Sequence, residues 1–187
     1  MLSVNMYGDL IFVSQEEKAK SILEKIWGKT PLFACVIANT EVGKIEGISA
    51  AGADPDITDF TPSADVELVE LGKCKCIEGV PITPEGIPTP AIITRTSLSL
   101  ANIPFLAINA GLNVLPKIPF IEVGKKAGKD IRREKAVIEP DKIFEKAEGI
   151  GQGLAETNDY VVVGESIAGG TTTALGTLAG LGYDAYD

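Results

Sequence analysis

Residues 160–181, YVVVGESIAGGTTTALGTLAGL, have the types and spacing to handle a phosphorylated ligand. Residues 160–163 form a β-branched run that suits a buried parallel strand, Gly164 is expected to end it, and residues 171–181 resume as a helix that stops at Gly182. Gly169 and Gly170 lie between, so the pattern predicts strand, glycine loop, helix. Such a loop turns backbone N–H groups and the positive end of a helix toward whatever sits above the strand, which makes an anion site. The spacing of Gly164, Gly169 and Thr171 is that of a P-loop, except that Gly170 stands in the lysine position. A nucleoside triphosphate needs that lysine for its outer phosphates, so a monophosphate is the expected ligand. The same glycines also suit a turn that only lets helix and strand pack closely.

Glu165 is expected at the carboxyl end of a central strand, within reach of a ligand on the glycine loop. There it could orient a ribose hydroxyl or act as a general base. It equally suits a favourable charge beside the N-terminus of the following helix. Lys117 could meet a phosphate or stand as an ordinary solvated loop lysine.

Composition narrows the chemistry further. The chain contains no histidine, which removes histidine triads, histidine proton shuttles and mixed Cys/His zinc sites. A general base at neutral pH must then be a carboxylate, lysine, tyrosine or cysteine. Cys35 lies in an apolar run and reads as core; Cys74 and Cys76 form a C-x-C pair with no second pair to complete a metal site. No metal or cofactor is expected. A net charge of −9 argues against a nucleic-acid partner, since no basic stripe is present to displace counterions. No apolar run is long enough to span a membrane and no basic start marks a secretory signal, so a cytoplasmic protein is expected.

The elements that must position these residues alternate. With 187 residues, 45% of them apolar, the chain suits one domain with an ample core. Ser14 and Glu17 have the spacing of a capping box before a first helix that stops at Gly28, and residues 32–38 read as a buried strand. Residues to about 60 read as loop; residues 66–71 could be a strand; the four prolines of residues 81–90 exclude regular structure there. Thr89 and Pro90 then open a second helix, residues 105–108 form a strand closing at Asn109, Ala110 and Gly111, residues 115–124 are extended, and residues 128–133 form a charged loop. A helix from about Pro140 carries Ile143, Ala147, Ile150 and Leu154 at helical spacing, with Gly149, Gly151 and Gly153 expected to pack closely on a neighbour. The alternation predicts an α/β fold, a mainly parallel, Rossmann-like sheet flanked by helices. It looks incomplete at the C-terminus: after Gly182 only five residues remain, so the chain is expected to be part of a longer protein or to complete itself as a homodimer.

The block GESIAGGTTTALGTLAGLGYDA, with DFTPSADVELVELGK, PTPAIITRTSLSL and NAGLNVLPKIPFIEVG upstream, resembles the archaeal branch of the nicotinate-nucleotide:dimethylbenzimidazole phosphoribosyltransferases. The resemblance covers most of the chain. It implies transfer of the phosphoribosyl group of nicotinate mononucleotide to 5,6-dimethylbenzimidazole or a related base, giving α-ribazole phosphate and nicotinate in cobamide synthesis. It further implies that Gly164, Ser166, Gly169, Gly170, Thr171 and Thr172 cradle the phosphate and that Glu165 is the glutamate of the family's Gly-Glu loop. Bacterial members differ at residues 166–170, and family members continue past this chain into the part that carries a second glutamate, usually credited as the base. Two other readings stay open: a non-catalytic mononucleotide-binding or assembly module, and a nicotinamide-nucleotide amidase.

Overall fold

A computed structural model describes residues 10–52 and 54–185. The stretch read as lacking a secretory signal begins in residues 1–9, and two of the five residues beyond Gly182 are 186 and 187, all outside the described residues. The elements are α1 (Glu16–Ile26), β1 (Leu32–Ala38), α2 (Thr61–Leu71), α3 (Ala91–Ala101), β2 (Phe105–Gly111), β3 (Ile121–Glu122), α4 (Pro140–Thr157), β4 (Val161–Ile167) and α5 (Gly170–Gly180). Short 3-10 turns at Glu41–Lys44 and Ile57–Phe60 interrupt the long segment after β1. The architecture is α/β, as expected, and the sheet is wholly parallel, in the order β3-β2-β1-β4.

β1 is the organising strand because its continuous apolar run lets both faces be covered. It pairs with β4 from Leu32 opposite Val161 to Ala38 opposite Ile167, and with β2 from Phe33 opposite Phe105, with an irregularity after Ile37. On one face Cys35, Ile37 and Ala107 pack with Val66 of α2, and Phe33 and Phe105 lie against that cluster. On the other, Ala34, Ile108 and Val123 meet Ile143 and Ile150 of α4. Helices on both faces are what an all-parallel sheet requires.

Several local expectations are corrected. Residues 66–71 belong to α2, which Pro62 helps to start and the left-handed Gly72 ends. Arg95 of α3 donates from Nη1 to the Val69 carbonyl at 2.6 Å and so satisfies the last turn of α2. The capping box does not form: α1 is preceded by Gln15 in the left-handed region, with no side-chain cap, and Glu16 and Glu17 both sit in its first turn. Thr89 does cap α3, its Oγ1 accepting from the Ala91 N–H at 3.1 Å. In α4, Cβ atoms added at Gly149, Gly151 and Gly153 would meet no other group within 4 Å, so close packing does not account for these glycines. Most important for the site, Gly164 does not end β4. The strand runs on through Glu165 and Ser166 to Ile167, and the turn into α5 is only Ala168 and Gly169. β4 is also not central: among the described residues it pairs with β1 alone, and Val163 is 70% exposed.

Candidate functional site

The β4–α5 turn borders a cavity of about 470 Å³ on the α2 side of the sheet. Its floor is Phe33 and Cys35 of β1 with Phe105 of β2; the two rings stack with centroids 6.1 Å apart. The irregular segments after β1 and before α3 supply further walls, including Ala51, Ile87 and Pro88. The proline-rich stretch thus forms a rigid, largely apolar wall beside the rings. Among the described lining residues there is no lysine or arginine.

Polar groups enter from α2. Thr61 and Asp65 are four residues apart, which puts them on one face of the helix, and both line the cavity. Asp65 Oδ1 accepts from the Thr89 hydroxyl and Oδ2 from the Ser166 hydroxyl, each at 2.7 Å. Burial pushes the Asp65 carboxyl above its usual range, against the pull of these two donors. Thr61 is 8% exposed, and its buried Oγ1 has no hydrogen-bond partner among the described residues. Asp65 went unremarked in the sequence because its partner Ser166 is 101 positions away; the only signal for it was its place inside the DFTPSADVELVELGK block.

Glu67, two residues on, is fully buried and faces elsewhere. Its carboxylate accepts from the backbone N–H of Lys117 at 2.6 Å, of Cys76 at 2.8 Å and of Lys75. Burial alone would raise its pKa, but these backbone donors hold it below its ordinary value. Glu67 therefore ties α2 to two loops, near positions 75 and 117, and fixes the helix that carries Asp65.

The glycine turn is set by contacts on its far side. Gly169 has φ +78°, and a Cβ there would stand 3.0 Å from the Gly43 backbone; a Cβ on Gly43 would stand 2.7 Å from the Ala168 carbonyl oxygen. The 3-10 turn after β1 and the β4–α5 turn thus touch backbone to backbone. Gly170 is the first residue of α5, and the N–H groups of the first turn point away from the helix. A Cβ on Gly170 would lie 2.9 Å from Glu165 Oε2, so the Glu165 carboxylate itself lies over the start of α5. Desolvation raises its pKa.

The expected site residues separate into those the cavity gathers and those it does not. Glu165, Ser166, Gly169, Gly170 and Thr171 line it; Thr172 stands in the first turn of α5 outside the lining. Gly164 lies inside β4, where a Cβ would be 2.7 Å from the Phe33 ring, so its smallness serves ring packing and not a phosphate. Lys117 is not at the glycine turn: its ammonium donates to the Lys75 carbonyl at 3.1 Å. Cys35 is buried core, with burial and the nearby Asp65 and Glu165 charges pushing its thiol up to about 12. Among the described residues, no three histidine, cysteine, aspartate or glutamate side chains group as metal ligands, and no helix is long and apolar enough to cross a membrane.

Fold and cavity together define an α/β protein of Rossmann-like architecture with a largely apolar, acid-bearing cavity beside the start of a helix. The chain is similar to known archaeal proteins. It is 45% identical over 166 residues to the UPF0284 protein of Methanothermobacter thermautotrophicus, covering 87% of this chain and 46% of that one. It is 49% identical over 173 residues to the UPF0284 protein of Sulfolobus acidocaldarius, covering 89% and 51%. The chain spans about half the length of the curated relatives it matches. No family model matches it.

Proposed function

We propose that the chain is the mononucleotide-binding part of a cytoplasmic phosphoribosyltransferase that moves the phosphoribosyl group of nicotinate mononucleotide onto 5,6-dimethylbenzimidazole or a related base. The observation that carries this reading is the opening of the α5 first turn, at Gly170 and Thr171, into a largely apolar cavity lined by the half-buried Asp65 carboxylate. A monophosphate at the helix start meets free N–H groups and the helix dipole, and needs no lysine. A flat heterocycle fits against the Phe33 and Phe105 rings. Glu165 now lies over Gly170, where phosphate would bind; on binding it turns toward the ribose, which leaves the phosphate to Gly169, Gly170, Thr171 and Thr172. The sequence resemblance described above supplies the identity of the donor and acceptor.

The test is to incubate the chain, and in parallel the full-length Methanothermobacter relative, with nicotinate mononucleotide and 5,6-dimethylbenzimidazole. Release of nicotinate with formation of α-ribazole phosphate is the expected result. Ammonia release from nicotinamide mononucleotide, without ribosyl transfer, would instead identify an amidase. The binding-module reading is favoured by one observation: among the described residues β4 is an edge strand, and the α5 that follows it buries none of its residues. Mononucleotide binding without turnover by either protein would establish it.

A further inference from the structure

Resting on the reading of the cavity as the place of a nitrogen heterocycle, we propose that Asp65 is the group that contacts the acceptor base, accepting a hydrogen bond from its ring N–H. The hydrogen-bond directions around Asp65 limit what a ligand can offer. The hydroxyl protons of Ser166 and Thr89 are both committed to the carboxylate, and Thr89 Oγ1 in addition accepts from the Ala91 N–H. Ser166 and Asp65 therefore turn lone pairs, and no proton, toward a ligand. With no lysine or arginine among the described lining residues, the carboxylate has no protein cation beside it in the cavity. A ligand that presents an N–H completes it; one that presents only acceptors or negative charge is repelled.

Thr61 gives an independent sign of a ligand. It lies one turn before Asp65 on the same face of α2, lines the same cavity, and its buried hydroxyl has no partner among the described residues. An empty apolar slot does not explain a buried hydroxyl there, whereas a polar ligand atom does. The rings of Phe33 and Phe105 and the Pro88 wall restrict that ligand to something flat.

The probe pair is 5,6-dimethylbenzimidazole and its N1-methyl derivative, which lacks the ring N–H, titrated calorimetrically into the wild-type chain and into Asp65→Asn. The wild type is expected to bind the N–H compound about tenfold more tightly than the methylated one, and Asp65→Asn, whose uncharged amide oxygen is a weaker acceptor, to discriminate less. A wild type that does not discriminate, or a variant that discriminates equally well, overturns the proposal. Binding of neither compound to the wild type overturns it together with the transferase reading. Discrimination without any ribosyl transfer leaves the Asp65 contact standing and removes the transferase reading; transfer without discrimination removes Asp65 alone. Should Asp65→Asn not fold, carboxyl NMR of the wild type decides: the Asp65 resonance shifts with the N–H compound and stays put with the methylated one.

Discussion

The Ser166 hydroxyl of β4 donates to Asp65 Oδ2 of α2 at 2.7 Å, so one short bond spans the cavity from sheet to helix. That bond favours the charged carboxylate and opposes the effect of burial. Ser166→Ala is therefore expected to raise the Asp65 pKa further, and carboxyl NMR across a pH titration measures it. A fall, or no change, would mean that the bond does not hold in solution.

Glu165 and a bound phosphate compete for the start of α5. Glu165→Gln removes the negative charge and is expected to tighten nicotinate mononucleotide binding by up to about fivefold, the size of a helix-terminus charge effect. Turnover by the full-length relative carrying the equivalent change is expected to fall at the same time, because the ribose loses its carboxylate partner. Calorimetry with the mononucleotide reads the first effect and nicotinate release the second.

Glu67 places a different demand on the protein. Its carboxylate accepts three backbone N–H groups while fully buried, so Glu67→Gln turns an amide donor toward groups that need an acceptor. The expected loss is about 2 to 4 kcal/mol in denaturant unfolding. The pH dependence has a definite sign. A carboxyl held below its ordinary 4.5 when folded stabilises fully above that value, and the contribution disappears as pH falls through the folded value. Wild type is expected to lose stability through that acid window, and Glu67→Gln to lose less.

Two glycine substitutions are expected to act in opposite directions. Gly43→Ala puts a methyl group 2.7 Å from the Ala168 carbonyl oxygen, forces the two turns apart, and is expected to destabilise by about 1 to 3 kcal/mol with loss of mononucleotide binding. Gly149→Ala in exposed α4 meets nothing within 4 Å and is expected to stabilise by about 0.5 to 1 kcal/mol without touching binding. Thermal melts of the two variants beside the wild type check both.

Much of the fold was legible because its signals are local. The apolar run of residues 32–38 is β1 to the residue, the helix after Thr89 follows its cap, the helix from Pro140 follows its periodicity, and the helix after Gly169 follows its glycine turn. α2 misled because it is buried on most sides: Val66 and Leu68 flank the buried Glu67, and that alternation imitates a strand when Glu67 is taken to face solvent. The glycine block was legible as a turn into a helix, yet the extent of β4 was not, since Gly164 owes its place to the Phe33 ring, a contact between neighbouring strands far apart in the sequence. Asp65 and Gly43 went unseen for the same reason. Each acts on a residue more than a hundred positions away, and no spacing rule reaches that far.

Glu67 also changes where variation in this protein should matter. One rigid helix carries Thr61 and Asp65 at the cavity, and Glu67 anchors it through the backbone of two loops that do not line the cavity. A change in the loops near positions 75 and 117 that loosens this anchor would tilt the helix and move Asp65 relative to Ser166. Affinity can thus be tuned by mutation remote from the binding surface, with every residue that meets the ligand left as it was.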